Sequence, residues 1–155
     1  VAAAVRAELP DAVALGARVS ASDFADGGWT IDDTVVLSRR LAELGFDFVC
    51  LSGGGPARMR PPVAPGYQVP FARAVKENVK IATRAVGMIL DGKQANGIVA
   101  DGDADLVALA RPFLDDPRWV WRAAAELGAE VKRPVQYERV APVFWPGHWS
   151  RQSAA

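Results

Sequence analysis

The chain has 155 residues, enough for one domain with its own core, and its 18 basic and 18 acidic side chains cancel. Half of the residues are hydrophobic and 23% are charged, a globular composition whose charge balance excludes a long-range field aimed at nucleic acid or an anionic membrane. The single cysteine, Cys50, excludes an internal disulfide framework and fits a reducing, cytoplasmic compartment, and no apolar run approaches the roughly 20 residues of a membrane helix.

In chain order, Val1–Leu9 reads as the tail of a helix and Val13–Ser20 as a first strand. Asp32–Leu44 carries apolar residues 35, 37, 41 and 44 near helical spacing, with Gly45 as its stop. Phe46–Leu51 is a second strand and runs into Ser52-Gly53-Gly54-Gly55. Phe71–Val79 is a helix entered through Pro70, Ile81–Met88 a third strand, and Asp91–Ala100 a helix with Asp91 in the capping position. Leu106–Ala110 is a fourth strand and Pro117–Leu127 the last helix, stopped by Gly128; from Lys132 onward no period is visible and the chain reads as irregular. Alternating βα units predict a parallel sheet covered by helices. Four of them suit either a small doubly wound sheet or half of an eight-stranded barrel, since a complete barrel takes about 250 residues.

Ligands of such folds gather at the carboxyl ends of the strands. The residues there are Arg18 and Ser20, the Ser52-Gly53-Gly54-Gly55 loop, Val86-Gly87, and Ala110-Arg111. A glycine run lets a ligand approach the backbone, or is a plain flexible turn. Gly87 follows a strand where a side chain would block close contact. Arg111 precedes Pro112 at a strand-to-helix junction, where its guanidinium fork and nearby amides can face an anion; the competing reading is a solvated charge or an ion pair with Asp115 or Asp116. Arg18 reaches the same space only if the pleat turns it inward, and apolar neighbours on both sides leave that open. His148 is the one histidine and sits in the irregular tail. Trp119 and Trp121 read as core packing. Zinc spacing, a Walker loop, a nucleophile elbow and the GxGxxG fingerprint are all missing from the sequence.

Five segments taken together resemble one family. ARVSASDFADGGWTIDDTVVLSRRLAELGFDFVCLSGGG, PGYQVPFARAVK, AVGMI, ADLVALARPFLDDPRW and PVQYER occur in the order found in the C-terminal half of the old yellow enzyme family, the FMN-dependent ene-reductases, above all its bacterial thermophilic-type branch. Other phosphate-binding barrel enzymes, such as the 2-hydroxyacid oxidases, lack the PGYQVPFA segment in this form. The resemblance implies an α/β fold, the C-terminal half of a (β/α)8 barrel over residues 1–139, with an irregular tail at 140–155. It implies FMN as cofactor and NAD(P)H as reductant of an enone-type substrate. Arg18 would reach the pyrimidine edge of the flavin; Ser52, Gly53, Gly54, Val86, Gly87, Ala110 and Arg111 would hold its phosphate. Arg139 matches an arginine that, in this branch, enters the neighbouring subunit's active site, which implies a homo-oligomer. The family's substrate-binding pair, two histidines or a histidine and an asparagine, its proton-donating tyrosine and its flavin-tuning cysteine or threonine lie in an N-terminal half that this sequence does not contain. The expectation is therefore a piece of an NAD(P)H:flavin oxidoreductase, inactive alone. The alternative is a non-catalytic flavin-binding half-barrel that dimerises or pairs with another chain. Gly92, where relatives often carry proline, loosens a helix start.

Overall fold

A computed structural model describes residues 1–54, 63–141 and 143–145. They fall into two compact units: Val1–Leu90 with Gln94–Leu109, and Asp91–Lys93 with the residues from Ala110 on. His148 and Gly55 lie outside the described residues.

The first unit begins with α1 (Ala2–Glu8) and then alternates strand and helix: β1 (Gly16–Ser20), α2 (Ile31–Glu43), β2 (Phe48–Ser52), α3 (Val69–Asn78), β3 (Ala82–Ala85), α4 (Gly92–Ala100, of which Gly92 and Lys93 count with the second unit) and β4 (Leu106–Val107). Helix α2 starts at Thr30, whose hydroxyl accepts from the Asp33 amide while the Asp33 carboxylate accepts from the Thr30 amide. The Thr30 hydroxyl, which donates to the Asp33 carboxylate at 2.7 Å, and then the Thr30 amide hold the Asp33 carboxyl below the usual carboxylate range. The helix ends at Gly45, in the left-handed region at φ 81°.

All strand pairs are parallel and the order is β1-β2-β3-β4. A doubly wound sheet reverses its winding at a switch point; here every crossover moves one strand onward in the same direction. Right-handed crossovers of that kind lay their helices on one face, and α2 packs on α3, which packs on β2 and β3. This is the winding of a (β/α)8 barrel, of which the four strands are a part.

The register divides the side chains between two faces. Ala17, Val19, Val49, Leu51, Thr83, Ala85 and Val107 share one face, and its central members, Val49, Leu51, Thr83 and Ala85, are fully buried. Ala72 and Val75 of α3 are equally buried. Each large aliphatic side chain removed from water here contributes about 1.5–3 kcal/mol, so this face holds the unit together. Gly16, Arg18, Ser20, Phe48, Cys50, Ser52, Ala82, Arg84 and Leu106 share the other face. Arg18 and Ser20 are exposed there, and Leu106 is 47% exposed. Near the amino ends of the strands, the Phe48 ring lies where a Cβ on Gly16 would stand, and the Arg84 guanidinium stacks 4.8 Å from its centroid.

The amino ends of the strands are tied by carboxylates. Asp47 accepts from the Leu15 amide at 2.7 Å while its own amide donates to the Leu15 carbonyl. Asp105 accepts from the Thr83 amide at 2.8 Å and from the Lys76 ammonium at 2.7 Å. Arg73 pairs with Asp103 at 2.6 Å. Both cations come from the later turns of α3.

The second unit holds α5 (Arg111–Asp115), α6 (Trp119–Glu126) and a 3-10 turn, η1 (Val135–Val140). Asp116 accepts from the Arg118 amide and pairs with Arg122. Trp121 is half-buried rather than a core residue: its ring meets Tyr137, and the guanidinium groups of Arg118 and Arg133 stand over it. Gly92 has a packing reason to be glycine, since a Cβ there would come within 2.7 Å of Ala123.

Candidate functional site

The carboxyl ends of the strands are built differently. β1 leaves the sheet through Ala21, which is fully buried and donates to the Ser52 carbonyl at 2.6 Å. Phe24 follows in the left-handed region, at φ 53°, its amide donating to the Ser22 hydroxyl at 3.1 Å. β2 ends at Ser52, whose hydroxyl donates to the Val19 carbonyl at 3.2 Å. Gly53 then passes so close to Phe24 and Phe71 that a Cβ would meet their rings at 2.7 and 2.9 Å. The rings themselves form a tilted pair with centroids 5.8 Å apart. Gly54 turns the chain at φ 106°, and its amide donates to the Ser22 carbonyl at 3.1 Å.

Just after β3 come two consecutive left-handed residues, Gly87 at φ 101° and Met88 at φ 52°. A methionine in that region costs of order 1–3 kcal/mol, strain of the kind that collects at ligand sites. The turn is tied back by the Gly66 amide, which donates to the Met88 carbonyl at 3.1 Å. Gln68 stands between the two strand ends. It is 4% exposed, its Nε2 donates to the Gly53 carbonyl and to the Tyr67 hydroxyl at 3.0 Å each, and its Oε1 lies 2.8 Å from where a Cβ on Gly87 would be. Glycine at 87 is thus required by Gln68 as well as by its backbone angle.

Of the residues expected at the site, Ser52, Gly53, Gly54, Val86 and Gly87 gather at the carboxyl ends of β2 and β3. Arg18 lies two residues before the end of β1, exposed, on the sheet face it shares with Cys50 and Arg84. Ala110 and Arg111 belong to the second unit, where both are exposed and Ala110 immediately precedes α5. Arg111 makes no ion pair among the described residues; Asp116 is taken by Arg122. Arg139 is exposed in η1. Gln68 and the left-handed Phe24 and Met88 were not expected. PGYQVPFA served only as a family signature, and neither periodicity nor composition marks a glutamine that will be buried.

A parallel sheet wound in one direction, with glycine and strained backbone at its carboxyl ends, defines a barrel-type α/β protein, a class in which ligands gather at those ends. Residues 1–130 match the model of the NADH:flavin oxidoreductase / NADH oxidase family, and the chain belongs to that family. It is 48% identical over 124 residues to the NADPH dehydrogenase of Geobacillus sp. (strain WCH70) and 43% identical over 122 residues to that of Bacillus subtilis (strain 168). Each match covers 79% of this chain and 36% of the relative, so the chain spans about a third of the length of the curated relatives it matches. The resemblance to the old yellow enzyme family therefore holds.

Proposed function

We propose that this chain provides the phosphate-holding side of an FMN site in an NAD(P)H-dependent flavin oxidoreductase that reduces activated C=C bonds. The observation that carries the reading is the pair of strand ends at Gly53 and Gly87, bare of side chains and locked by Gln68 and by the Phe24–Phe71 pair. A flavin phosphate held through backbone needs strand ends of this kind, so the residues fit the group. Ser52, Gly53, Val86 and Gly87 would hold the phosphate, with Gly54 shaping the turn. Ala110 and the Arg111 side chain would add the contacts that the family resemblance assigns them. Arg18 would face the flavin ring and favour negative charge on it. The chemistry that FMN supplies when bound is hydride exchange between NAD(P)H and the alkene. Relatives named NADPH dehydrogenase support the choice of reductant.

The test is to add FMN to the purified chain, remove free flavin by gel filtration and record the visible spectrum. A retained, shifted flavin band is expected; its absence overturns the reading. Arg111→Ala should lower retention at least tenfold, and equal retention would remove Arg111 from the phosphate contacts. NADPH oxidation with an activated enone is expected to be absent for the chain alone, because the acid and substrate clamp of the family are outside it.

A second reading rests on the sheet face that carries Arg18, Arg84 and Leu106. This is a half-barrel that binds flavin without turnover and covers that face with another copy or a complementary chain, with Arg139 reaching across subunits. Sedimentation equilibrium separates the two: a homodimer retaining FMN without NADPH oxidation supports the second.

A further inference from the structure

Gln68 is the buried polar side chain that joins the two glycine strand ends. Its carboxamide cannot be turned over, because only Nε2 can donate to the Gly53 carbonyl. That bond and the one to the Tyr67 hydroxyl fix the plane of the amide and leave Oε1 in the space a Cβ on Gly87 would need. The backbone around Gln68 is fixed as well, since the Val69 amide donates to the Gly66 carbonyl at 2.8 Å and Gly66 is tied to Met88. One side chain is thus bonded to Gly53 and packed beside Gly87, just beyond the last pairing of β2 with β3 at Leu51 and Ala85. A backbone cradle for an anion depends on the spacing of its strand ends, because errors of about 1 Å in a preorganised site are costly.

We infer that Gln68 is a positioning residue: it touches no ligand but holds the Gly53 and Gly87 backbone at the separation that a phosphate monoester requires. The inference rests on the proposed flavin site and assigns part of its phosphate selectivity to a carboxamide outside it. A purely structural Gln68 would affect every flavin alike, whereas a positioning Gln68 acts on the phosphate-bearing form.

The experiment compares FMN with riboflavin, which lacks the phosphate, by quenching of flavin fluorescence on the 155-residue chain. The unmodified chain should bind FMN at least tenfold more tightly than riboflavin. Gln68→Met keeps the volume and loses both hydrogen bonds; it should lower FMN affinity about tenfold and leave riboflavin affinity within twofold. The 31P resonance of bound FMN should move in the same variant. Tyr67→Phe removes only the second bond, keeps the volume of the ring, and should give a smaller loss of the same selectivity; it carries the test if Gln68→Met does not fold. Equal FMN affinity in Gln68→Met and unmodified chain, or parallel loss of FMN and riboflavin, would overturn the inference while leaving the flavin site standing. An unmodified chain that binds neither flavin, or binds both equally, would overturn the site itself, and the inference with it.

Discussion

The two ends of the sheet are held by opposite means. At the amino ends, carboxylates and cations do the tying: Asp47 on Leu15, Asp105 on Thr83 and Lys76, Asp103 on Arg73. At the carboxyl ends the ties around Gly53 and Gly87 are neutral: a glutamine amide, two phenylalanine rings and glycine backbone in the left-handed region. Helix α3 serves both, with Gln68 as its amino-terminal cap residue and Arg73 and Lys76 further along. Charge is placed where it stabilises the strands. The ties at the proposed cradle are neutral instead, and a carboxylate in their place would repel the phosphate proposed to bind there. In parallel barrels stability and ligand chemistry separate along the strand axis in the same sense.

Gly87→Ala should break the carboxyl end most severely. The added methyl forces a left-handed alanine, at about 1–2 kcal/mol, and crowds Gln68, at about 1–3 kcal/mol for overpacking. A loss of about 2–5 kcal/mol in urea unfolding is expected, together with loss of FMN retention. If retention survived the substitution, the carboxyl end would be a packed turn and not a cradle.

Asp105→Ala makes the matching cut at the amino end. It removes a carboxylate that accepts from Thr83 and from Lys76, and the charged bonds are discounted because the side chain is 38% exposed. A loss of about 1–2 kcal/mol in urea unfolding is expected, with FMN affinity unchanged in the fraction that stays folded. A clear change in affinity would mean that the two ends are coupled through α3.

The amino-acid sequence carried more of the fold than of the site. The four strands and the helices between them follow from apolar period and glycine stops, and boundaries moved by one to three residues. β3 stops at Ala85, before Gly87 and Met88, because consecutive left-handed residues leave the sheet. β4 is only Leu106–Val107, with one further backbone bond from the Ala108 amide to the Ala85 carbonyl. Strand order was not legible: βα alternation is common to barrels and doubly wound sheets, and only the pairing tells them apart. At the site, glycine and arginine positions could be read because they have few other reasons to follow strands. Gln68 could not, because its burial depends on Gly53 and Gly87 arriving from 15 and 19 residues away on either side. The 3-10 turn at Val135–Val140 was also hidden, since its packing partner Trp121 lies back in α6, distant in sequence.

Acid should separate the two ends without any substitution at the carboxyl end. Partial burial pushes the Asp105 carboxyl up, but bonds from Lys76 and Thr83 outweigh it and hold the group below the usual carboxylate range. The bond from Arg73 does the same for Asp103. Groups depressed on folding contribute stability that is present above their unfolded value, about 4, and that is lost as pH falls through the folded value. Unmodified chain should therefore hold its urea midpoint from pH 7 to about 5 and lose stability below about 4. The gap between it and Asp105→Ala should narrow over that same interval, because the variant has already lost what protonation removes. The gap to Gly87→Ala should stay constant, since neither the Gln68 amide nor the left-handed backbone titrates there. Urea titrations of the three proteins at pH 7, 5 and 3.5 make the measurement. A gap to Gly87→Ala that closes in acid as fast as the gap to Asp105→Ala would show that the carboxyl end also depends on charge, and the division between the two ends would fail.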